Sequence, residues 1–124
     1  MNDAVTVDFD ELVARESLSG EEFLAAIDVE SFQIAHRAME RIHTYTGFPP
    51  TRAVALSMLN RGQRVLSAPA WIGAGHVAHR RIMFLVRSFG VKMLVLITPG
   101  DVDGVLEWVA TYDMTGKMDD DPVS

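Results

Sequence analysis

The stretch from Ile82 to Thr98 is the most apolar in the chain, and it is interrupted by the cations Arg87 and Lys92. The two features together are a strong constraint. So much apolar surface must leave water, while two cations inside it make a membrane span unfavourable. The stretch therefore belongs to the core of a globular chain. Gly90 divides it. The second part, Val91 to Thr98, is rich in β-branched residues (Val91, Val95, Ile97 and Thr98) and reads as a strand. The first part continues a helix that the sequence suggests from about His76 to Phe89. Within that helix Ile82, Met83, Phe84, Leu85 and Val86 are apolar all the way round. Such a helix lies at the centre of a core or under a second subunit. In a chain this small those five residues become candidates for self-association, and a homodimer is the expected assembly.

A chain of 124 residues has the length of one domain. Hydrophobic residues at 48% and charged residues at 23% exclude a disordered chain. The absence of cysteine excludes disulfides, a thiolate metal site and a cysteine nucleophile. The first sixteen residues carry five acids and no apolar core segment, unlike a secretory signal. A soluble, cytoplasmic protein is expected. Its globular body would cover residues 1–112, with a loosely held acidic tail over residues 113–124.

Local signals punctuate the rest. Ser19 and Glu22 form a capping box that should start a helix running to about Ile27. Asp28 or Ser31 can cap a second helix to about Thr46, stopped by Gly47. A third is expected from Thr51 to a stop at Gly62, although its early part, Ala53 to Ser57, could instead be a strand, and Gln63 to Ala68 reads as a short strand. Thr98, Pro99, Gly100 and Asp101 resemble another capping box, which would launch a last helix carrying Val102, Val105, Leu106 and Val109 on one face. Ala4 to Phe9 alternates weakly, as a short strand or a ragged terminus would. The second half thus reads β–loop–α–β–α. The fold expected is a single compact α+β domain, or a small α/β one, helix-rich and with a small sheet that includes residues 91–98. An all-helical fold is the alternative.

Charge is segregated along the chain. The net charge of −6 is made of −8 over residues 1–35, +8 over residues 36–92 and −6 over residues 93–124. Two readings stand. Acidic ends can lie against the basic middle, since exposed ion pairs cost little to arrange. Alternatively the middle presents a basic face to a partner. The candidate anion- or partner-binding residues are Arg61, Arg64, Trp71, His76, His79, Arg80, Arg81 and Arg87.

Several patterns suggest chemistry without specifying it. Gly73, Gly75 and His76 open the expected helix, where backbone N–H groups bind anions, yet the spacing is neither a Walker loop nor a dinucleotide fingerprint. His76 and His79 could share a helical face, with Asp101 or Asp103 as a distant third ligand, but those acids have capping and dipole roles already. Glu40 and His43 match one di-iron element, and no second copy exists. No Gly-x-Ser-x-Gly elbow supports a triad from Ser57 or Ser67. No metal, cofactor or catalytic residue is therefore assigned. The expected function is a non-enzymatic intracellular binding or regulatory module. It would act through contacts with a partner protein, with the basic segment 36–92 in the contact surface. The alternatives are a nucleic-acid-binding regulator using the same arginines, with Trp71 to stack on a base, and an enzyme acting on a phosphate-bearing small molecule.

Overall fold

The computed structural model describes residues 8–67, 72, 80–102 and 104–116. Among them run four helices and five strands: α1 (Phe9–Ala14), α2 (Gly20–Ala26), β1 (Gln33–Ile34), α3 (His36–Thr46), α4 (Arg52–Leu59), β2 (Gln63–Val65), β3 (Ile82–Ser88), β4 (Val91–Pro99) and β5 (Leu106–Asp113). The strands form one sheet in the order β1-β5-β4-β3-β2. The β1–β5 pair is parallel and the others are antiparallel. This is an α+β arrangement. Helix and strand take similar shares of the described residues, about 34% and 30%, so helix does not predominate among them.

All four helices lie on one face of the sheet. Phe9, Leu12, Phe23, Ala38, Ile42, Ala55, Met58 and Leu59 pack there against Ile82, Phe84 and Val86 of β3, Met93, Val95 and Ile97 of β4, and Trp108 of β5. Every second strand residue faces this core, as a pleated strand requires. The intervening residues of β3 and β4, with Met83, Leu94 and Leu96, face the other side and cluster with Ile72 and Met114. Both faces are apolar, so the strands read as continuous hydrophobic runs without alternation.

That pattern accounts for the main departure from expectation. Ile82 to Ser88 is a strand, joined to β4 by the two-residue turn Phe89–Gly90. A short run with no period fits a strand covered on both faces as well as a helix covered all round. The five residues Ile82 to Val86 are only 0–6% exposed. They lie in the chain's own core, and the all-round apolar helix that suggested a homodimer is absent.

The second departure is at Thr98. Here β4 continues to Pro99, and the chain turns through Gly100, whose N–H meets the Val105 carbonyl at 2.7 Å. The chain then returns as β5 where a last helix was expected. Gly104, at a φ of +81°, interrupts any helix at its first turn, and pairing with β4 outweighs the capping signal. The parallel β–α–β reading of the second half is thereby replaced by an antiparallel meander.

The N-terminal half follows its local signals closely. Ser19 and Glu22 exchange the two hydrogen bonds of the capping box, at 3.1 and 2.9 Å. Thr51 caps α4, and Gly47 ends α3 in the left-handed region at a φ of +82°. Gly20 has a structural reason: a Cβ there would come within 1.8 Å of the Leu59 carbonyl oxygen, so the first turn of α2 rests on the end of α4. Asp28 caps a turn, accepting from the Glu30 N–H and the Ser31 hydroxyl, and α3 begins only at His36. Gln33 and Ile34 are drawn into the sheet beside β5 first. One helix was missed: Asp8 caps α1 by accepting from the N–H groups of Asp10 and Glu11.

At the C-terminal end Asp113 still belongs to β5. Met114 is buried, with its N–H on the Lys92 carbonyl at 2.7 Å. The expectations for residues 1–7, for the glycine loop with Trp71, His76 and His79, and for the tail from residue 117 lie outside the described residues. No helix among the described residues is long and apolar enough to cross a membrane.

Candidate functional site

The basic residues singled out from the sequence have separate tasks. Arg64 projects from β2 into the helical layer. There its guanidinium donates to the carbonyls of Leu12, Val13 and Arg15 at 3.2, 2.9 and 2.9 Å. These carbonyls lie at the end of α1, where the helix's own N–H groups run out; those of Leu12 and Arg15 also accept from the Arg15 and Leu18 N–H groups. Burial lowers the Arg64 pKa from its ordinary value, with Glu16 pulling the other way; an arginine so placed still keeps its charge. Arg80 binds Asp10 at 2.6 Å and stacks over Phe9, its guanidinium carbon 5.6 Å from the ring centre. Both arginines hold α1 to the sheet. Arg87 reaches Gln63 across the strands at 3.4 Å. Arg61 is exposed just past α4, and Arg81 is half-buried at the start of β3. Of this set, Arg64 and Arg80 are engaged with α1 and Arg87 with Gln63.

A groove among the described residues lies elsewhere. β1 pairs with β5 only at Gln33 and Ile34, ending with the Ala35 N–H on the Trp108 carbonyl at 2.9 Å. The chain then leaves the plane of the sheet and becomes α3. The slot that a longer β1 would fill is left beside β5, so no described strand pairs with β5 beyond Trp108 on that side.

A groove of about 360 Å³ follows this slot, lined by Arg37, Ala38, Arg41 and Tyr45 of α3 and by Val109, Ala110, Thr111 and Tyr112 of β5. Four consecutive residues of β5 line it. Their side chains alternate between the two faces of the sheet, so the groove runs along the strand's edge. The register carries this further. The Met114 N–H bonds to β4 at Lys92, and alternation along an antiparallel ladder turns the Thr111 N–H and C=O away from β4, toward the groove.

The groove's walls are held by a buried hydrogen-bond chain. Trp108 Nε1–H donates to Thr111 Oγ at 2.8 Å, and that hydroxyl donates to the Ala38 carbonyl at 3.1 Å. Because residue 38 is alanine, α3 can approach β5 this closely. A register shift between Leu96 and Ile97 leaves Val109 as an extra residue in β5. Such a bulge is a common device at a sheet edge.

Arg37 and Arg41 stand one helical turn apart, both exposed, and neither has an ion pair or hydrogen bond among the described residues. The nearest acid in sequence, Glu40, is bound to His36 at 3.0 Å. The groove thus combines two guanidinium groups without a partner among the described residues, the half-buried tyrosines Tyr45 and Tyr112, and a backbone edge. It holds no carboxylate and no imidazole, the groups that most often move protons near neutral pH. Among the described residues no group of three or more His, Asp or Glu could hold a metal ion. The arginines could have been noticed in the sequence, since Arg37, Arg41 and Tyr45 follow a four-residue step beside the apolar stripe of α3. The strand edge could not, because its residues were expected in a helix. Compared with known proteins, the chain matches no protein-family profile, no curated protein and no solved structure.

Proposed function

We propose that this chain is a non-enzymatic binding module that takes hold of an extended segment of a partner protein. The segment would pair with the edge of β5 in the groove beside α3. The observation that carries the reading is the edge of β5 past Trp108, with which no described strand pairs, alongside the groove. An added strand satisfies backbone groups whatever its sequence, and neighbouring pockets select its side chains. The basic segment 36–92 would contribute to the contact surface through Arg37 and Arg41. This reading is favoured over nucleic-acid binding because Arg64 and Arg80 are engaged with α1, which removes two cations from any phosphate-tracking face.

The test is selection of heptapeptides from a displayed random library on the immobilised protein, followed by amide exchange in the complex. Selected peptides should slow exchange of the Thr111 amide at least tenfold. If no peptide is selected, or if those selected protect another segment and leave Thr111 unchanged, the reading fails.

A further inference from the structure

We infer that the segment this groove takes carries carboxylates at alternate positions, acid–apolar–acid. The inference rests on the proposed docking at β5 and adds the chemistry of the occupant. A strand laid against β5 points every second side chain toward α3, at intervals of about 6.6–6.8 Å. Four residues along a helix advance about 6 Å, so Arg37 and Arg41 present two forks at nearly the same interval. Both cations lack an acidic partner among the described residues, and Glu40 is occupied by His36. Arginine suits the task, since its planar fork binds a carboxylate through two hydrogen bonds. The remaining side chains of the added strand point to the other face, beside the half-buried Ala110 and Tyr112. The chain's net charge of −6 opposes this preference at long range. That opposition makes the sign of the preference informative. Attraction governed by overall charge would select a basic peptide, whereas attraction governed by Arg37 and Arg41 selects an acidic one.

The experiment uses the full chain and four end-capped, fluorescein-labelled heptapeptides in anisotropy titrations at constant salt. One alternates valine with glutamate, one valine with glutamine and one valine with lysine. The fourth has the composition of the first with its glutamates consecutive. The glutamate–valine peptide should bind at least fivefold tighter than the other three. Arg37→Gln and Arg41→Gln, both at exposed positions that leave the fold intact, should each weaken it by about two- to fivefold, the range of exposed ion pairs. Together they should reduce it to the affinity of the glutamine peptide. Equal affinity for the glutamate and glutamine peptides, equal affinity for the consecutive arrangement, tighter binding of the lysine peptide, or an unchanged advantage in the double variant would each overturn the inference. Should the glutamine peptide bind and protect the Thr111 amide with no advantage for glutamate, only the acidic preference is lost. Should none of the four bind, the docking at β5 is lost with it.

Discussion

Phe89 is the residue least suited to its own position. It sits at a φ of +49°, followed by Gly90 at +83°, in the two-residue turn between β3 and β4. A turn of this hand calls for asparagine or glycine at its first place, because a bulky side chain pays about 1–2 kcal/mol in the left-handed region. The ring is also 82% exposed, and its contact with the Phe48 ring, at 5.3 Å between centroids, falls near the lower end of the about 0.5–1.5 kcal/mol that aromatic pairs contribute. Phe89→Asn should therefore stabilise the protein by about 0.5–1 kcal/mol and raise its Tm by roughly 2–6 °C. A fall in Tm in the melting curve would mean that the Phe48 contact outweighs the backbone cost. Thr111 is the contrasting case, a polar residue in the core whose hydroxyl has a donor in Trp108 and an acceptor at Ala38. Its type is unremarkable in a sequence and becomes intelligible only when helix and strand are seen together.

Among the elements, α1 depends most on its neighbours. Six residues are too few for a stable helix in water, and only Phe9 and Leu12 are buried. Its last carbonyls are closed by Arg64, which comes from more than fifty positions away. Replacing Arg64 by methionine keeps the apolar stem and removes the donors. We expect a loss of about 1–3 kcal/mol, concentrated in α1. Amide exchange should show the Leu12 N–H losing far more protection than amides of β4, and an equal loss in both would mean that α1 is not separately held. The elements also divide by legibility. α2, the end of α3 and α4 were readable from Ser19, Glu22, Gly47 and Thr51, because a cap is a contact between residues two to four positions apart. β3 and β5 were not. Ile82 to Val86 has no period, and Val102 to Val109 has a period broken by Gly104, so only the strand each pairs with decides its form.

For the molecule as a whole, the charge segregation resolves only in part. Among the described residues Asp10 of the N-terminal segment pairs with Arg80 of the middle, both exposed, and Glu16 acts on Arg64 electrostatically. Arg64 is bound to backbone carbonyls, and Arg37 and Arg41 have no partner among the described residues. Exposed pairs contribute about 0–1 kcal/mol each, while a net charge of −6 repels itself. Raising NaCl from about 20 to 300 mM shortens the reach of these charges to within about 8 Å or less. The Tm should stay constant or rise by a degree or two. A drop of several degrees would mean that the acidic ends neutralise the basic middle more fully.

The amino-acid sequence by itself determined the start of α2, the end of α3, the start of α4, the strand at residues 91–98 and the burial of most of the stretch from Ile82 to Thr98. Each follows from groups close together along the chain or from the cost of leaving apolar surface in water. Tertiary structure alone decided that Ile82 to Ser88 and Leu106 to Asp113 are strands, that Arg64 serves α1, and that β1 stops after Ile34 and leaves the edge of β5 open beside Arg37 and Arg41. Those outcomes depend on which distant backbone supplies the hydrogen-bond partner, and a partner many residues away leaves no trace in local spacing.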